Sequence, residues 1–138
     1  MSVEIIHDYT TLPLPARKIK TVVDRIYRRE RIPKRRETLL VFCSSRTIHR
    51  LNKTYRRVDS PTDVLSFSYD EPDLLGEIYV SLQRAKRQAR LYGLGYTNEL
   101  VRLTVHGMFH LLGYDHETAA GRAAMERREG EYCGLSAP

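Results

Sequence analysis

Three histidines, His106, His110 and His116, stand in the segment HGMFHLLGYDH. At 100° per residue, helical positions i and i+4 lie about 40° apart, so His106 and His110 present their imidazoles on one face. Helices hold zinc with that geometry. Gly113 can take the left-handed conformation that ends a helix and reverses the chain, which would return His116 as a third ligand. Three neutral imidazoles leave the fourth tetrahedral position of a zinc open to water, as in catalytic sites. Bound zinc lowers the pKa of its water to about 7 and so supplies hydroxide at neutral pH. Asp115 and Glu117 are candidate acceptors from an imidazole N–H. One histidine on an apolar helix is ordinarily a core residue; three around a helix-ending glycine point to a metal.

The spacing also matches the metalloprotease pattern H-E-x-x-H-x-x-G-x-x-H, with one departure: position 107 is Gly, where the protease carries its general-base glutamate. A glycine inside a helix costs about 1 kcal/mol relative to Ala. Two returns are open, room beside the metal for a bulky substrate or close helix packing. Without the carboxylate, a metzincin-like peptidase is the poorer fit.

The elements that must position these residues follow from periodicity and punctuation. Eight of the thirteen residues in Leu100–Leu112 are apolar, so this helix is expected to be largely buried, with Glu99 and Arg102 continuing the polar stripe of the histidines. Thr97 is the expected cap and Gly113 the stop. Before it, strands are expected at Val3–His7, Glu37–Cys43, Val64–Tyr69 and Glu77–Leu82, the last two pairing antiparallel around a loop DEPDLLG. Helices are expected at Ala16–Arg29, after Ser44 or Ser45 with Ile48, Leu51 and Tyr55 inward, at Gln83–Tyr92, and from Thr118 to about Tyr132. The expectation is a single α+β domain over residues 1–138: a small mixed sheet of about four strands with helices packed on it, and the metal site on a central buried helix and the turn after it.

Asn52 and Arg56 share a helical face ahead of the turn Pro61-Thr62-Asp63. An arginine fork suits a phosphate, whereas a peptide carbonyl has no need of one. Four motifs then occur in order: L-N-x-x-Y-R from Leu51 to Arg56, P-T-D-V-L-S-F from Pro61 to Phe67, G-E-I from Gly76 to Ile78, and V-H-G-M-F-H-L-L-G-Y-D-H from Val105 to His116. In this the chain resembles the YbeY family of bacterial metal-dependent endoribonucleases and ribosomal RNA maturation factors. The motif-bearing resemblance spans about Leu51 to Glu129, and Glu77 stands where an aspartate is common. It implies one Zn2+ per chain held by His106, His110 and His116, with His110 and Arg56 catalytic and Arg56 across the cleft from the metal. It also implies a single-strand-specific endoribonuclease acting in 16S rRNA 3′-end maturation and ribosome quality control, with ribosomal proteins or an assembly GTPase as further partners. The competing reading is a non-catalytic RNA-binding assembly factor with a structural zinc.

The chain has 138 residues, 41% of them hydrophobic and 29% charged, which excludes a disordered chain and a disulfide scaffold. No run reaches the length of a membrane helix and no secretory leader is recognisable, so a cytoplasmic protein without a membrane partner is expected. Cys43 and Cys133 read as separate reduced thiols, and His7 and His49 as structural or surface residues. The net charge of +6 is already present in residues 1–36, and the remainder sums to zero. Ala16–Arg36 carries ten Lys or Arg and two acids. Further bases follow on the second helix, and Arg84, Lys86, Arg87 and Arg90 on the third. These segments fit a surface that tracks RNA, with Asn52, Arg84 and Arg87 as expected substrate contacts and no DNA expected. Tyr69, Tyr79 and Tyr92 could stack on bases, although tyrosines at a core margin are commoner.

Overall fold

In a computed structural model, residues 3–114 and 118–132 are described. Nine elements follow in order: β1 (Val3–His7), α1 (Ala16–Arg29), β2 (Glu37–Cys43), α2 (Ser45–Arg56), β3 (Val64–Glu71), β4 (Leu74–Ser81), α3 (Leu82–Tyr92), α4 (Tyr96–Leu111) and α5 (Ala119–Gly130). The strands form one mixed sheet of order β1-β2-β4-β3. β1, β2 and β4 run parallel, and β3 pairs antiparallel to β4 as the edge strand. This is the expected α+β architecture.

β2 is covered on both faces, so it reads as a nearly continuous apolar run. Leu40 and Phe42 join Ile78 and Val80 in the main core beneath α1 and α4. Val41 and Cys43 face the other way, with Ile48 of α2 and Leu65 of β3. Burial pushes the Cys43 thiol up to about 12, and its Sγ lies 3.7 Å from the Val80 carbonyl, so it is a core group rather than a reactive one. Cys133 falls outside the described residues.

α4 packs on β3 and β4 and touches α1, α3 and α5, and Leu100, Leu103, Val105, Met108 and Phe109 are all buried along it. Its approach to the sheet is set at Gly107. A Cβ there would stand 2.7 Å from Ile78 Cγ2 and 3.2 Å from Ser66 Oγ. Close packing, not room beside a metal, is therefore the return on this glycine. Gly76 serves the same contact from below, where a Cβ would meet Leu111 Cδ2 at 2.5 Å.

Four expectations are corrected. The loop DEPDLLG shrinks to a turn at Pro72 and Asp73, because Leu75 is drawn into the core and extends β4 backward to Leu74. Leu82 opens α3 rather than ending β4, since Ser81 caps that helix by accepting from Arg84 N–H at 3.1 Å. Thr97 does not cap α4; Gly95 does, with its carbonyl accepting from Glu99 N–H at 3.0 Å. Tyr55 is 66% exposed, since the last turn of α2 reaches the edge strand β3, beyond which the described residues place no further strand. No helix among the described residues is long and apolar enough to cross a membrane.

Replacing Gly107 with Ala removes a helix penalty of about 1 kcal/mol but forces the branched, fully buried Ile78 aside, for a net loss of up to about 2 kcal/mol. Thermal unfolding should show a lowered Tm, and a Tm at or above that of the parent refutes the packing role.

Candidate metal and phosphate cleft

His106 and His110 lie one turn apart on α4 and turn toward each other. Their Nε2 atoms are 3.1 Å apart, with ring centroids at 4.7 Å and planes at 78°. Both are half-buried, at the margin of a core that surrounds the rest of the helix. At the far side of His106, Nδ1 meets Glu129 Oε2 of α5 at 2.8 Å. A carboxylate only accepts, so Nδ1 carries the hydrogen, which in the neutral ring leaves the lone pair on Nε2, the atom facing His110. Glu129 was not marked by any local spacing, since it lies 23 residues away on another helix.

Contacts besides the His106–Glu129 bond hold α5 in place. Met125 is 1% exposed, and the Tyr132 ring packs on Phe109 with centroids 5.6 Å apart. Arg128 forms an ion pair with Glu30 at the end of α1, and Tyr132 Oη donates to the same carboxylate at 2.8 Å. Arg29 lies over the Tyr132 ring at 5.4 Å. The end of α1 thus fixes the helix that orients His106.

The histidines form one wall of a cleft of about 440 Å3. β3 forms the other, through Val64, Ser66 and Ser68, with Thr62 and Asp63 leading in from the preceding turn. Ser66 Oγ donates to the Gly107 carbonyl at 3.3 Å, tying the two walls together. Arg56 lines the cleft from the end of α2. Its guanidinium donates to the Ser66 carbonyl and lies 5.0 Å over the Phe67 ring, which holds an exposed side chain in a defined orientation.

Farther along the polar stripe, Glu99 is fully buried yet satisfied. Arg102 donates to it through Nε at 2.9 Å and Nη2 at 2.7 Å, and Gln88 donates at 2.7 Å. Those bonds push the Arg102 pKa further up despite partial burial.

Other expected site residues are placed elsewhere. Asn52 is buried, and its amide donates to the Ser60 carbonyl at 2.9 Å, so it fastens the loop leading to Asp63. Arg84 and Arg87 of α3 do not line the histidine cleft; Arg87 lines a separate cavity of about 370 Å3 with Lys86, Arg90, Tyr9 and Leu12. His7 meets the carbonyls of Tyr9 and Leu12, and His49 pairs with Asp59 at the surface. His116, Asp115 and Glu117 lie outside the described residues, which by themselves contain no set of three metal-ligating side chains.

Residues 8–135 match the family described as Endoribonuclease YbeY. Relatives bearing that name include one from Moorella thermoacetica, 49% identical over 106 residues and covering 67% of this chain and 68% of its own. One from Chloroflexus aggregans is 39% identical over 140 residues, covering 93% and 91%. The solution structure of a Thermotoga maritima protein superposes with a TM-score of 0.65 at 26% identity, covering 96% of this chain and 90% of that one. With three of the four motifs contributing side chains to one cleft, the match over nearly the whole chain establishes that it belongs to the endoribonuclease YbeY family, hydrolases acting on RNA.

Proposed function

We propose that the chain is a zinc-dependent, single-strand-specific endoribonuclease of the cytoplasm, acting in 16S rRNA 3′-end maturation and ribosome quality control, with the ribosome and its assembly factors as its setting. The observation that carries the metal is the 3.1 Å separation of His106 Nε2 and His110 Nε2. Two nitrogens on one tetrahedral zinc, each at ~2.0–2.1 Å, stand about 3.3–3.4 Å apart, so the pair needs to open by only a few tenths of an ångström. His106, His110 and His116 would hold one Zn2+. When bound, zinc supplies a Lewis acid to a phosphoryl oxygen and lowers the pKa of water beside it.

The chain's own groups account for the rest. Arg56, fixed across the cleft, can hold two oxygens of a phosphate and balance the charge that grows on them as the bond breaks. Glu129 keeps the hydrogen on His106 Nδ1 and so leaves Nε2 available as a donor atom. Peptide hydrolysis lacks its base, because position 107 bears no side chain and faces Ile78.

Elemental analysis and cleavage of single-stranded RNA test this together. His110→Ala should lose both zinc and cleavage, whereas Arg56→Glu should keep zinc and lose cleavage. Undiminished cleavage by metal-free protein sinks the zinc mechanism.

A second test reads zinc affinity by competition with a chelating dye. Glu129→Leu should weaken zinc binding roughly 10- to 100-fold, the usual effect of removing such a carboxylate. Glu129→Gln, whose amide oxygen still accepts from Nδ1, should lose less. Wild-type affinity in Glu129→Leu removes the orienting role.

A further inference from the structure

On the face of β3 and β4 turned away from the histidines lies a further cavity, of about 140 Å3. It is lined by Tyr55, Phe67, Tyr69, Tyr79 and the carboxylate of Glu77. Tyr55 and Tyr79 stand edge-on to Phe67, with centroids at 5.8 and 6.0 Å. Tyr79 Oη donates to Glu77 Oε1 at 2.7 Å; burial and that bond hold the phenol above its usual range, so it stays neutral. Tyr55, 66% exposed, leaves much of its ring uncovered. The adjoining end of α2 carries Lys53 and Arg56 in its last turn and Arg57 as its C-cap, all exposed.

The lining therefore has aromatic walls, an acid inside and cations at one margin. An anion entering it meets Glu77, and an aliphatic group makes no use of that carboxylate. A flat heteroaromatic ring with N–H donors satisfies both walls and acid, and a phosphate attached to the ring finds the cations. Arg56 makes the connection, because it covers the Phe67 ring and also lines the histidine cleft. The two cavities thus flank one edge strand at the consecutive residues Ser66 and Phe67.

We propose that the aromatic cavity is a nucleobase subsite, where a base of single-stranded RNA stacks on Tyr55 and offers an exocyclic amino group to Glu77 while a neighbouring phosphate lies at Arg56. This inference rests on the ribonuclease reading of the histidine cleft.

Fluorescence anisotropy with a labelled hexaadenylate RNA and its fully abasic counterpart tests it on the intact chain. Tyr55→Ala should weaken hexaadenylate binding roughly 5- to 150-fold, the range for loss of one base–aromatic stack, and leave the abasic strand's affinity unchanged. Tyr55→Phe should retain binding. Glu77→Gln, which adds a donor, should lower the preference for hexaadenylate over hexauridylate, and an unchanged preference removes Glu77 from the subsite. Wild-type hexaadenylate binding by Tyr55→Ala, or equal losses on both strands, overturns the proposal. Cleavage is scored separately: zinc-loaded wild type that binds these strands but cuts no single-stranded RNA sinks the nuclease reading and leaves the binding comparison decisive.

Discussion

The contact between α4 and the sheet at Gly107 sets the distances on which the rest of the molecule depends. A side chain there would force Ile78 aside or, where Ile78 could not yield, lift the helix and carry His106 and His110 away from Ser66 and Arg56. Protein interiors accommodate such a shift poorly, because both surfaces are already close-packed. The family pattern's most conspicuous departure from a protease motif is thus also what lets a helix carry its histidines so near an edge strand. One position both removes a general base and sets the width of the cleft.

Burying α4 has a second consequence, since a buried helix can carry polar groups only if each finds a partner. Glu99 meets this condition through Arg102 and Gln88, and His106 through Glu129. The partners come from three elements, α3, α4 and α5, so the polar stripe also ties neighbouring helices to α4. A buried carboxylate without Arg102 would be left with an uncompensated charge, which is why that arginine lies folded along its own helix instead of extending into solvent.

Local periodicity made most of this fold legible. The bounds of α1 and the buried run of β2 follow from their own residues, as does the stop of α4 at Leu112 and Gly113, where φ is +95°. What stayed hidden depends on residues far away in the chain. Leu74–Gly76 reads as loop until Leu75 is seen to complete a core and Gly76 to lie beneath Leu111. Tyr55 obeys the helical pattern, but whether a patterned residue is covered depends on where the sheet ends. At the site, the His106 and His110 pair was legible because both ligands share one helix. Glu129 was not, because α5 brings it in and the end of α1 holds α5. Asn52 and Arg56 show the same limit within one helix face: the first turns to the Ser60 carbonyl and the second to the cleft.

Charge divides in a similar way between long and short range. The excess of bases in residues 1–36 creates a field that draws a polyanion from a distance and weakens as salt screens it. Some of those bases are paired locally, Lys20 with Asp24 and Arg29 with Glu131, and Arg36 donates to the carbonyls of Tyr69 and Leu74. Inside the cleft the described lining carries one arginine and one carboxylate, Arg56 and Asp63, whose charges offset each other. A phosphate steered to the opening would therefore meet little net attraction among the side chains that line it. Neutral imidazoles on the opposite wall become a source of positive charge only through what they hold. Under the proposed function, a dication at His106 and His110 supplies the charge that the cleft's own side chains lack, and Arg56 fixes the direction from which the phosphate is met.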